Sequence, residues 1–142
     1  MLKKYILATA SYVVLSFALA YPWHLVWFHD LYIEIGAVTR TEPIVPLGVL
    51  SMIVQGAVIA YFYPLWYRGG HPVWAGIRYS LTIGLLIYTV MGFATAAKFD
   101  INPIETFLVY HTGFQFLQFT ITGAALGLIF GRTNEVSLLQ AV

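Results

Sequence analysis

At 142 residues, 60% hydrophobic and 9% charged, the chain has too little charge to cover a water-facing surface, since soluble domains carry about 25% charged residues. A net charge of +1 with no long basic run argues against a nucleic-acid partner, and the absence of cysteine excludes disulfides, thiolate metal sites, iron–sulfur clusters and cysteine nucleophiles. The composition predicts an all-α integral membrane protein, a single four-helix bundle over residues 1–142.

Lys3 and Lys4, an apolar run and then Ala18-Leu19-Ala20 resemble a secretory signal. The apolar character continues through residues 21–28, so residues 4–28 are read as a first transmembrane helix, long enough for the roughly 20 residues a bilayer requires. Pro22 removes one backbone donor near its end and predicts a kink there. Residues 29–44, with Asp30, Glu34, Arg40 and Glu42, form the most polar stretch and are read as a loop. The second span covers 43–67, opening on Pro43, a residue well suited to a first helical turn. It closes on the aromatics Tyr61, Phe62, Tyr63, Trp66 and Tyr67.

Arg68-Gly69-Gly70-His71-Pro72 is a turn signal, and the third span follows over 73–97. A second loop at 98–102 leads to the fourth span at 104–130, where Glu105 suits the positive end of the helix dipole. The tail from 133 to 142 is expected to be short and loosely ordered. Four spans place Lys3, Lys4, Arg68, Arg78 and Arg132 on one side against Arg40 and Lys98 on the other. The excess of positive charge predicts that both termini are cytoplasmic.

The fourth span carries the polar pattern around which the chain is organised. His111, Gln115, Gln118 and Thr122 are spaced by four, three and four, which sets them on one narrow strip of a helix. Uncompensated polar groups are costly in lipid, so the strip should face protein. Gly123, Gly127 and Gly131 form a second strip that lets another backbone approach closely, and they are expected to meet a second copy or a membrane-protein partner. On the second span Gln55 shares a face with Ser51 and Gly48. His24 lies at the same depth as His111, so both imidazoles are expected to converge in one outward-opening cavity, with Gln55 and Gln118 below them. The candidate ligand-binding set is therefore His24, Ser51, Gln55, His111, Gln115 and Gln118.

Three readings of that set stay open. It lines a pocket for a small or lipidic ligand in a transport-accessory or sensing role, or it merely fastens an assembly subunit. In the third, His24 and His111 ligate haem or a metal. No paired His-x3-His or haem attachment motif accompanies the last reading, and no cofactor is specified. Hydrolytic chemistry has no motif here, with neither Gly-x-Ser-x-Gly nor His-Glu-x-x-His, so no catalytic residue is assigned. The absence of a carboxylate or lysine at mid-span argues against a proton-coupled transporter.

Short words spread along the chain carry one resemblance. They are Trp23-His24-Leu25-Val26, Asp30-Leu31-Tyr32, Glu42-Pro43-Ile44, Pro46-Leu47-Gly48, Gln55-Gly56, Tyr67-Arg68-Gly69-Gly70, Gln118-Phe119, Gly123 and Gly131-Arg132. In these the chain resembles a family of small four-span bacterial inner-membrane proteins without an assigned activity. The resemblance implies a four-helix membrane protein and brings no catalytic residues.

Overall fold

The computed structural model describes residues 1–40 and 42–139, with side chains up to residue 131. Among these residues the chain is all-helical, with helices α1 (Leu2–Pro22), α2 (His29–Glu34), α3 (Val45–Trp66), α4 (Pro72–Tyr88), α5 (Thr95–Lys98) and α6 (Ile104–Leu139). Two π-helical segments, Trp23–Trp27 and Thr89–Ala94, extend α1 and α4. Four helical stretches are long and apolar enough to cross a membrane: Leu2–Trp27, Val45–Trp66, Pro72–Lys98 and Ile104–Gly131. The tail from Thr133 continues α6 to Leu139, and the expectation of looseness for residues 140–142 lies outside the described residues.

The long helices alternate in direction. Met1, the turn at 67–71 and Gly131 share one end, called here the turn end. The segments 28–44 and 99–103 share the other, the loop end. At the turn end the Lys4 ammonium donates to the Phe130 carbonyl at 3.5 Å, tying the start of α1 to α6. Tyr63 is the centre of the core there, with its ring 5.2 Å from Tyr79 and 5.5 Å from both Phe130 and Tyr67. The run of aromatics read from the sequence as the end of the second span thus fills the interior with one face only. Tyr61, Phe62 and Trp66 remain exposed.

The α4–α6 contact is the most extensive, and glycine makes it so. A Cβ on Gly127 would collide with the carbonyl of Pro72, one on Gly76 with the carbonyl of Gly123, and one on Gly131 with the Pro72 ring. Close approach of two backbones gains dispersion contact along the whole seam, which is how small residues join helices where lipid supplies no hydrophobic drive. The Gly123, Gly127 and Gly131 strip is therefore occupied by the chain's own α4.

In contrast, α3 and α4 touch sparsely. Their hydrogen bond, from the Tyr79 hydroxyl to the Ile59 carbonyl at 3.1 Å, and their ring contacts through Tyr63, Trp66 and Tyr79 all lie in the half nearest their shared turn.

The loop end differs from the expected pair of loops. Leu31, Tyr32 and Ile35 give residues 29–35 an apolar side despite His29, Asp30 and Glu34, and α2 buries that side. Tyr32, Ile35, Ile101 and Phe107 form a second core, joined by Trp23, Phe28 and Tyr110. Gly36, at φ +76, allows the chain to turn there, and the Asn102 amide donates to the Ile35 carbonyl at 3.0 Å. The first loop is thereby fastened over the start of α6.

Candidate functional site

The lower half of the polar stripe is wired directly rather than built around space. Gln118, 7% exposed, donates through Nε2 to Ser16 Oγ at 3.0 Å and to the Tyr12 hydroxyl at 3.3 Å. Tyr12 donates to Gln55 Oε1 at 2.9 Å, and Gln55 Nε2 donates to Ser51 Oγ at 3.0 Å. Thr122 returns its proton to its own helix, at the Gln118 carbonyl, 2.7 Å away. The network crosses from α6 through α1 to α3, and Gly56 leaves room for it: a Cβ there would sit 3.0 Å from the Tyr12 ring. Tyr12 escaped the sequence reading, although its place one turn before Ser16 on the same face was the available signal.

The imidazoles sit above this network. His24 lies in the first π-helical segment, its ring 4.4 Å from Phe114 and 5.1 Å from Tyr32. His111 is 8% exposed and stacks between Phe107 at 5.2 Å and Tyr88 at 5.6 Å. The two rings are within electrostatic reach of one another. They nonetheless serve different surroundings, because aromatic faces enclose His111 while His24 borders an open groove. His111 Nε2 and Gln115 Oε1 are buried without a hydrogen-bond partner among the described residues. Gln115 borders a separate hollow of about 230 Å³ between α4 and α6. The Trp23 indole donates to the Tyr32 hydroxyl at 3.3 Å, and burial pushes that phenol above its ordinary value while the indole bond opposes the shift.

The groove has a volume of about 610 Å³, within the range of about 300–1,000 Å³ usual for ligand sites. Its polar lining is His24, His29, Thr39, Arg40 and Ser51. Leu25, Val38, Ile44 and Leu47 supply apolar wall. Carboxylates are absent from that lining, and Arg40 has no ion-pair partner among the described residues. His29 Nδ1 pairs with Asp30 Oδ1 at 3.3 Å, and the Asp30 carboxylate is fully exposed. The groove therefore offers one guanidinium, Arg40, at its rim over an apolar wall, with one hydroxyl, Ser51, further along α3.

The geometry thus divides the six expected residues. His24 and Ser51 line the groove, and Gln55 and Gln118 reach it only through the hydrogen-bond network. Gln115 borders the hollow between α4 and α6, and His111 lies in the aromatic stack of Phe107 and Tyr88. Arg40 and His29 were not in the expected set: Arg40 lies in an irregular segment with no periodicity that a sequence displays, and His29 opens a helix, α2, where a loop was expected. Among the described residues no group of three or more His, Asp or Glu side chains is placed to hold a metal ion.

Fold and site together define an all-helical protein with four apolar helices long enough to span a membrane and a groove at one end with Arg40 at its rim. No protein-family model, curated protein or solved structure matched the chain.

Proposed function

We propose that this chain is a multi-pass inner-membrane protein whose loop-end groove holds an acidic amphiphile, in a transport-accessory or sensing role. The acid group sits at Arg40 and His29, and the hydrocarbon lies along Leu25, Ile44 and Leu47. The observation that carries this reading is the composition of the groove: a guanidinium, Arg40, without an ion-pair partner among the described residues, beside an aliphatic wall, with the one nearby carboxylate, Asp30, turned to solvent and paired with His29. A guanidinium binds phosphate and carboxylate bidentately, and desolvation beside an apolar wall strengthens the attraction.

The excess of Lys and Arg at the turn end supports a cytoplasmic location for both termini, which puts the groove on the outer side. The direct wiring of Gln118, Tyr12, Gln55 and Ser51 supports a fastening role for the lower stripe. Polar fastening and ligand binding meet at Ser51.

The reading is tested by thermal unfolding of the purified protein in a neutral maltoside detergent with dodecyl phosphate added. A ligand at 100 times its Kd stabilises by about 2.7 kcal/mol, a readily measured rise in melting temperature. Arg40→Glu and Leu47→Trp, which reverse the rim charge and fill the groove, should abolish the rise. Equal stabilisation by dodecyltrimethylammonium, or persistence of the effect in both variants, would overturn the reading.

A further inference from the structure

We infer that Ser51 offers its free hydroxyl proton to the groove, so that the amphiphile bound there carries an acyl carbonyl at that depth beneath its acid group. The inference rests on the groove reading above and specifies the chemistry of its ligand.

The direction of every bond in the network follows from its first member. An amide nitrogen only donates, so Gln118 Nε2 makes acceptors of both Ser16 Oγ and the Tyr12 hydroxyl. The single Tyr12 proton then goes to Gln55 Oε1. With its carbonyl engaged, Gln55 turns its amide nitrogen to Ser51, whose oxygen accepts. The Ser51 proton is left over.

Several helix hydroxyls of this chain spend that proton on their own backbone, although Ser80 and Thr120 have no partner among the described residues. Thr82 donates to the Arg78 carbonyl, Thr89 to Leu86, Thr95 to Val90 and Thr122 to Gln118. Ser51 makes no such bond, and among the described residues its proton has no acceptor. It lines the groove instead.

Ser51 lies six residues beyond Val45, the first residue of α3, which places it about 9 Å along the helix axis from that end. Arg40 precedes α3 on the rim. A ligand engaging both needs an acid group outside and a neutral acceptor roughly two turns deeper, where its chain begins. An acyl ester of a glycerol phosphate has this arrangement, and its ether counterpart lacks the carbonyl.

The test compares lauroyl lysophosphatidic acid with its dodecyl ether analogue, by calorimetric titration of the purified protein in neutral detergent. The wild type should prefer the acyl form by about two- to tenfold, the worth of one neutral hydrogen bond. Ser51→Ala should erase the preference and Ser51→Thr should retain it. Tyr12→Phe should also erase it, although Tyr12 does not line the groove, because Gln55 is then free to turn its carbonyl to Ser51 and take the proton. In a Ser51→Ala background Tyr12→Phe should add nothing to the loss, the sign of action through one residue. A purely structural Tyr12 would change stability and leave the acyl-to-ether ratio untouched.

Inorganic phosphate alone should give no measurable binding, which separates a lipid from a free anion. Equal binding of the acyl and ether forms by the wild type would overturn this inference while leaving the groove reading intact. Binding of neither would overturn the groove itself. Should Tyr12→Phe fail to fold, the exposed Ser51→Ala variant decides the matter alone.

Discussion

Alanine at Gly127 and alanine at Gly48 are the same chemical change with opposite expected signs. A Cβ at Gly127 would overlap the Pro72 carbonyl oxygen, sit 2.8 Å from its carbon and 3.2 Å from Val73 Cα. These are backbone atoms in the first turn of α4, so no rotamer change relieves the contact and the two helices must separate locally. Overpacking of this kind costs about 1–3 kcal/mol. Replacing a helical glycine by alanine returns about 1 kcal/mol of propensity, and because backbone atoms cannot yield the cost lies at the upper end of that range, so the net loss should approach about 2 kcal/mol. At Gly48 a Cβ would meet nothing within 4 Å, leaving only the propensity gain. Thermal unfolding of both variants in one detergent gives the comparison. Gly127→Ala should melt below the wild type and Gly48→Ala at or above it. A Gly127→Ala protein as stable as the wild type would refute the α4–α6 seam.

Gln118→Leu removes two donated bonds and strands Ser16, which is 0% exposed, so it should destabilise by about 1–3 kcal/mol in the same assay. His111→Phe keeps the stack between Tyr88 and Phe107 and removes a nitrogen without a described partner, so stability should hold or rise; a loss above about 1 kcal/mol would show that the nitrogen has one. Single cysteines replacing Glu34 and His71 should react with an impermeant thiol reagent from opposite sides of the membrane, with Glu34 outside. Reaction of both from the same side would contradict the four-span topology.

The four long helices were legible because burial in lipid demands uninterrupted apolar length, and length is written directly in the sequence. The depth of each polar residue followed from the same runs. Azimuth was harder. Pro22 announced a disturbance, but its form, a π-helical segment carrying His24, changes which way the following side chains face. The second such segment, Thr89–Ala94, has no comparable mark beyond Gly92, where a Cβ would crowd the Tyr88 ring. The glycine strip on α6 was correctly a place of close approach, yet nothing in a periodicity distinguishes the chain's own helix from another chain's. In α2 the charged letters concealed a buried side made by Tyr32 and Ile35. Arg40 could not be placed because its position depends on how residues 36–44 return from α2 to α3.

If the proposed function holds, the loop-end groove, and not some other hollow, receives the acidic amphiphile. Hollows of similar size among the described residues include an apolar one of about 650 Å³ between α1 and α3 near the turn end and one of about 570 Å³ bordered by Arg68, His71 and Arg78. A lysophosphatidic acid with a photoactivatable diazirine near its ester, irradiated with the protein in vesicles of neutral lipid, reports the position directly when the labelled peptides are sequenced. The groove account requires the label to concentrate in residues 24–29 and 38–51 and to fall sharply in Arg40→Glu. Label concentrated in residues 2–14 and 53–61, or in 65–78, would contradict it.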